Sequence, residues 1–227
     1  MPIELNGQPV GDITLNSNTI GEVTVNGTTV YRGIQIIEDF ERSNPLNDYQ
    51  GNVGNWDITT ADAIEGQSLI ESTGSQGNGE LIYSRNRPVS FSRGESVQYQ
   101  FHNIDGTGTQ DMFVFGIQSN AGNNYFVQSI SDSFNIGKDV ATTGFNRNVL
   151  VSSSTGFGGE VGPYTGQVDW TSGGIVFTVF DANGSQIDSV SVSDTEYSSG
   201  DIGWWGANGT GTDLPAARIR FDNLIKL

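Results

Sequence analysis

The groups in this chain that could do chemistry are carboxylates, aromatic rings and one imidazole. Asp39 and Glu41 lie two residues apart near the start of the longer segment, and Asp222 lies near its end. Clustered carboxylates with backbone carbonyls are the oxygen donors that Ca2+ takes. These three form the candidate metal set if the fold joins the two ends; solvated carboxylates at a sheet edge are the plain alternative. Trp204 and Trp205 are adjacent, and side chains alternate along a strand, so one faces the core and the other faces outward. An outward indole near Tyr164, Asn208 and Asp213 makes a candidate sugar-stacking platform. The competing reading places one indole in the core and the other half-buried under a loop. Trp56 and Trp170 are assigned to the core or its rim.

Catalytic patterns are weak. His102 is the sole histidine, so nucleophilic triad chemistry would have to use it, and no partner motif accompanies it. A glycosidase needs two carboxylates a few ångströms apart; jelly-roll glycosidases carry a Glu-x-Asp-x-x-Glu type strand that this chain lacks. The Gly-rich stretch 155–162 is not followed by a helix signal, so it is no phosphate loop. With no cysteine, disulfides, thiol catalysis and Cys-ligated metals are excluded. Sequons begin at Asn26, Asn183 and Asn208, as chance supplies in an Asn/Thr/Ser-rich chain. The expectation is a protein that is not an enzyme.

The elements that must position these groups are strands. Gly is abundant at 31 of 227 residues, and Val, Ile, Thr, Ser, Asn and Phe fill much of the rest, a mix that favours strands and turns. Acids outnumber bases 26 to 10, for a net charge of −16. The acids are scattered singly, which suits a medium where charge is screened. Such a surface argues against nucleic acid, whose phosphates need clustered Lys and Arg, and against anionic membranes. No apolar stretch is long enough to span a bilayer as a helix. Met1-Pro2-Ile3-Glu4 shows neither a basic n-region nor an apolar h-region, so no signal peptide is expected.

Residues 1–33 repeat at ten-residue spacing: ELNGQPVGDI, TLNSNTIGEV, TVNGTTVYRG. The turn pairs Asn6-Gly7, Asn16-Ser17 and Asn26-Gly27 alternate with Gly11-Asp12 and Gly21-Glu22, dipeptides that tolerate the positive φ of tight hairpins. The spacing predicts a ladder of six three-residue strands at 3–5, 8–10, 13–15, 18–20, 23–25 and 28–30, with Leu5 opposite Gln8. One face then collects Ile3, Leu5, Val10, Ile13, Leu15, Ile20, Val23, Val25 and Val30, and the other collects mainly threonines. An apolar face on such short strands needs a cover. Two covers stand: the following domain, or further copies of the chain in a homo-oligomer.

Residues 34–227 read as an antiparallel jelly-roll β-sandwich, with strand signals near ten-residue spacing between Gly/Asn/Asp turns. Val97, Tyr99 and Phe101 are predicted to share one face, and the doubly apolar strand 174–181 is predicted to be central. Ile37-Glu38-Asp39-Phe40-Glu41, Gly54-Asn55-Trp56-Asp57-Ile58, Ala63-Ile64-Glu65-Gly66-Gln67-Ser68-Leu69 and the closing Ala217–Leu224 resemble the motifs of concanavalin A/laminin G-like jelly rolls. The resemblance implies that first and last strands lie side by side. It also implies a structural calcium in a place where Asp39, Glu41 and Asp222 would supply ligands.

Scattered acidity with two lysines also resembles the proteins of extreme halophiles, and the 25–32 run resembles attachment segments of tailed-virus structural proteins. Two functions therefore stand. The first is a virion surface component, a turret, spike or fibre of the kind found in haloarchaeal tailed viruses. It would assemble through residues 1–33 with itself and other virion proteins, and touch host surface glycans. The second is a cellular carbohydrate-binding module, extracellular or at the cell surface. A polysaccharide-cleaving enzyme of the same fold is the weaker third.

Overall fold

The computed structural model describes residues 35–60, 66–71, 80–84, 89–103, 112–129, 133–143, 146–156, 162–206 and 219–227, with the backbone of short strands between residues 4 and 32. Those short strands form three hairpins: β1 Glu4–Leu5 with β2 Gln8–Pro9, β3 Thr14–Leu15 with β4 Asn18–Thr19, and β5 Glu22–Val25 with β6 Thr28–Arg32. Leu5 pairs with Gln8, as the Asn6-Gly7 turn requires. Continuation of one ladder from hairpin to hairpin lies outside the described residues, as do the side chains of the expected apolar face, Ile3, Leu5, Val10, Ile13, Leu15, Ile20, Val23, Val25 and Val30. In the third hairpin the register shifts, so that Val23 pairs with Tyr31.

The sandwich follows. Its strands are β7 Gln35–Glu38, β8 Gln50–Gly51, β9 Trp56–Thr59, β10 Ser68–Glu71, β11 Glu80–Tyr83, β12 Ser90–Ser92, β13 Glu95–Asn103 and β14 Met112–Ile117. Then come β15 Tyr125–Ser129, β16 Phe134–Lys138, β17 Asn148–Ser152, β18 Tyr164–Thr171, β19 Gly174–Phe180, β20 Gln186–Val192, β21 Ser199–Gly206 and β22 Ile219–Lys226.

Two antiparallel sheets result. Sheet one runs β20-β19-β18-β13-β22-β10-β9 with β7 also on β22; sheet two runs β17-β16-β15-β14-β21-β11-β8 with β12 also on β21. In each sheet one long strand therefore holds two short strands end to end along one edge. The pairing of β7 with β22 sets the first strand of the sandwich beside the last.

Alternation builds the core. Val97, Tyr99 and Phe101 of β13, Val168 and Trp170 of β18, and Ile175, Phe177 and Val179 of β19 face Phe113, Phe115, Tyr125, Val127, Phe134, Ile136 and Trp204 from sheet two. Aromatic rings fill the middle, with Trp204 lying 4.5 Å from Phe221 and 5.2 Å from Phe113 between ring centroids. On β22 a register irregularity with Asn223 at φ 46° lets Phe221 and Leu224 both reach this core.

Two expectations need correction. The strand 174–181 stands next to the edge strand β20, not at the centre; on its second face Val176 and Phe180 are half-buried. The sequence reading also passes over β16, because Asn135 and Gly137 interrupt its apolar run. Gly137 is required there: a Cβ would fall 2.2 Å from the Phe126 ring.

Candidate functional site

Where the chain enters the sandwich, the acid that matters is Glu38. Phe40 plugs the core at full burial with φ 55°, and Glu38, two residues before it, is buried as well. The Glu38 carboxylate accepts from the Phe40 N–H at 2.9 Å, the Tyr49 hydroxyl at 3.1 Å and Arg42 Nη2 at 2.8 Å. Trp204 Nε1 donates onward to the Tyr49 oxygen at 3.4 Å. Burial, with Glu38 beside it, pushes the Tyr49 hydroxyl well up, and the same carboxylate raises Arg42.

The candidate metal ligands point elsewhere. Asp39 accepts from the Glu41 N–H at 3.2 Å, and Glu41 accepts from the Gln67 N–H. Asp222 is buried on sheet one, where it accepts from Ser68 Oγ at 3.1 Å and the Asn223 N–H at 2.8 Å. The sequence reading names Asp39 and Glu41 and does not weigh Glu38, whose burial shows only in the fold. Among the described residues no three His, Asp or Glu side chains group at metal-holding distance.

The sugar platform is not standing open either. Tyr164 is buried, stacked on Phe101 at 5.3 Å. Trp204 fills the core, and Trp205, on the opposite face of β21, is also fully buried. Asn208 and Asp213 lie outside the described residues. His102 ends β13 in register with the buried Arg220.

What the structure adds is a row across the outer face of sheet two. Alternation with the core residues places Asn135, Gln128, Met112, Trp205 and Leu81 side by side on five adjacent strands, each pair in direct register. Beside them run Gly137, Phe126, Val114, Gly203 and Tyr83. Leu81, Met112, Val114, Ile117, Ala121, Phe126, Val140 and Trp205 make a second apolar cluster, separate from the core.

At one end of that row stand two buried amides. Asn135 Nδ2 donates to Gln128 Oε1 at 3.1 Å, leaving Gln128 Nε2 and Asn135 Oδ1 buried without a hydrogen-bond partner among the described residues. An unsatisfied buried donor or acceptor costs about 1–3 kcal/mol, and native structures keep few of them. The face thus holds one N–H donor and one carbonyl acceptor, both out of contact with solvent, on neighbouring strands beside an apolar layer. Asp201, at the far end of β21, is the single described carboxylate that alternation places on this face of β21, β14, β15 and β16. These residues can hydrogen-bond and pack, but they supply no acid–base pair.

A charged seam ties the β20–β21 connection to this sheet. Lys138 Nζ donates to Asp194 Oδ2 at 2.9 Å and Glu196 Oε2 at 2.6 Å. The Tyr125 hydroxyl donates to Asp194 and accepts from the Glu196 N–H at 2.9 Å. Burial, reinforced by Asp194, pushes Tyr125 up to about 12. Burial alone would raise Asp194; the Tyr125 hydroxyl, the Glu196 N–H and Lys138 outweigh it and hold Asp194 below its ordinary value. The two carboxylates raise Lys138.

No protein-family model matches the sequence, and no curated protein does. Solved structures do. A protein of unknown function from Shewanella oneidensis MR-1 is similar at TM-score 0.53 and 9% identity, over 86% of this chain and 84% of that one. A Bacillus licheniformis β-glucanase is similar at TM-score 0.51 and 10% identity, over 83% of this chain and 95% of that one. The GH43 protein BlXynB of Bacillus licheniformis is similar at TM-score 0.50 and 14% identity, over 83% of this chain but 38% of that one. At such identities the likeness speaks for architecture alone: the chain folds as a concanavalin-like jelly-roll β-sandwich.

Proposed function

We propose that the chain is a non-catalytic saccharide-binding module whose contact site is the outer face of sheet two. The observation that carries this reading is the buried amide pair, Gln128 and Asn135, with one donor and one acceptor left over. A sugar hydroxyl both donates and accepts, so adjacent hydroxyls answer both atoms at once. The net charge of −16 favours neutral glycans over anionic ones. The shared fold with a β-glucanase makes neutral β-glucan oligosaccharides the first probes. Binding is measured on a neutral-glycan array and by calorimetry in high salt. Gln128→Leu or Asn135→Leu is expected to lower affinity at least tenfold, the equivalent of about 1.4 kcal/mol for one hydrogen bond; unchanged affinity would sink the assignment.

In its fuller form the module is a virion surface component, a turret, spike or fibre. Residues 1–33 then hold copies and other virion proteins together, while the sandwich meets host glycans. The supporting feature is the ten-residue repeat, whose Leu5–Gln8 pairing the first hairpin makes. A cellular carbohydrate-binding module is the alternative. Light scattering in high salt separates them: a trimer or pentamer supports the virion form, and a monomer supports the cellular one.

A further inference from the structure

The cluster beside the amide pair is sealed, although the outer face of a two-layer sandwich ordinarily meets solvent. Part of the seal is the strap Asp139–Thr142. It leaves β16, contributes Val140 to the cluster with Trp205, and ends where the Leu81 N–H donates to the Thr142 carbonyl at 3.1 Å. Leu81 belongs to β11, four strands from β16 in the sheet order.

The strap is held by hydrogen bonds rather than by a strand ladder: the Asp139 N–H donates to the Asn124 carbonyl and the Ala141 N–H to the Asn146 carbonyl, each at 2.9 Å. Asn124, fully buried, donates to the Ala121 and Val140 carbonyls at 2.7 and 3.0 Å and accepts from the Val140 N–H at 3.1 Å. The Tyr197 hydroxyl donates to Asp139 at 2.8 Å. Asp139, at the root, sits at φ 58°, a left-handed conformation that Asp adopts more readily than most non-glycine residues, and it turns the chain out of β16. Between these points a single apolar side chain, Val140, belongs to the buried cluster. A segment outside the strand ladder, held by single hydrogen bonds and one buried apolar side chain, opens before the sheet beneath it does.

We infer that the strap Asp139–Thr142 is a displaceable cover, and that lifting it adds Trp205 to the Gln128–Asn135 site as a stacking floor for a neutral oligosaccharide. Gln128 and Trp205 are two strands apart on one row, about 10 Å, so the ligand class is an oligosaccharide that touches both, not a single sugar. This inference rests on the saccharide-binding reading, and its test reads the cover without any ligand.

The test is native-state hydrogen exchange on the full chain, comparing the Leu81 amide, which donates to the strap, with the Val114 amide in the sheet centre. Leu81 is expected to exchange through a local opening faster than Val114. Asn124→Ala should speed Leu81 exchange about tenfold, as loss of a net hydrogen bond predicts, with Val114 unchanged. Acrylamide quenching of Trp205 emission, taken as the difference from Trp205→Phe, should rise in parallel. Tyr197→Phe, which keeps the ring and removes only the hydroxyl, should act in the same direction more weakly and serves if Asn124→Ala does not fold. Leu81 exchanging only with Val114, or quenching unmoved in both variants, overturns the cover. A chain whose strap opens yet binds no neutral glycan keeps the cover and loses the saccharide reading. A chain that binds glycan with Leu81 protected like Val114 does the reverse.

Discussion

Along β13 and β18 the outer face of sheet one carries Ser96, Gln98, Gln100, Thr165, Gln167 and Asp169, all half-buried and bonded across the strands. Gln98 Nε2 donates to Gln167 Oε1 at 2.8 Å, and Thr178 pairs with Ser189 at 2.9 Å on the neighbouring strands. The corresponding face of sheet two carries Met112, Val114, Phe126 and Trp205, all buried, with two amides whose hydrogen-bonding capacity is not filled. Both sheets build the same aromatic core from their inner faces. The difference teaches that sheet one ends along β13 and β18 in a half-buried polar surface, whereas sheet two carries a buried apolar layer with an incompletely satisfied amide pair. Binding is expected on the second.

The largest effect should come from Trp205→Ala. If sheet two's outer face is a true apolar layer, truncating this indole costs about 3–5 kcal/mol in urea unfolding; if it were a surface like sheet one, the loss would stay within about 0.5 kcal/mol. Next is the seam that joins the β20–β21 connection to sheet two. Lys138→Met should cost on the order of 1 kcal/mol at neutral pH. Asp194 is held low, so its share is present above the ordinary carboxylate value near 3.9 and lost as pH falls through its depressed value. Lys138 is held high, so its share is full below about 10.4 and is lost as pH climbs through its raised value. The melting-temperature gap between the two proteins should therefore be widest across neutral pH and close at both extremes. A gap independent of pH would show that the seam acts by packing alone.

The smaller effects sharpen the contrast from the sheet-one side. Gln98→Ala is expected to cost less than about 0.5 kcal/mol and to leave glycan binding unchanged; lost binding would move the site to the wrong sheet. Removing Ca2+ with a chelator should leave the melting temperature where it was, because Asp39, Glu41 and Asp222 each accept from donors of this chain. A shift restored by Ca2+ would reinstate the metal expected from the resemblance.

Sheet one was largely legible in the sequence: Val97, Tyr99 and Phe101 alternate with Ser96, Gln98 and Gln100, and one buried face with one wet face leaves that period plainly. Sheet two was less so, for the same physical reason in reverse. Met112–Ile117 and Tyr125–Ser129 are buried on both faces, so period two is erased. β16 adds Gly137, whose bareness is set by Phe126 on another strand. The Trp204–Trp205 pair was read as one indole in and one out, and the two do occupy opposite faces. The outward one is buried as well, in a cluster drawn from Leu81, Met112, Val114, Phe126 and Val140, and sequence adjacency holds no trace of neighbours so distant in the chain. Likewise Gln128 and Asn135 look ordinary until register sets them opposite each other, each with one buried polar atom that no described residue satisfies.

The most direct test of the central claim is one double variant, Gln128→Leu with Asn135→Leu, measured for unfolding free energy and neutral-glycan binding together. Replacing both members of an unsatisfied polar pair by apolar groups of similar size is near neutral or stabilising. The account therefore predicts unchanged or higher stability together with lost binding. Stability lowered by several kcal/mol, as expected of a satisfied structural pair, or glycan binding retained at full strength, would contradict it.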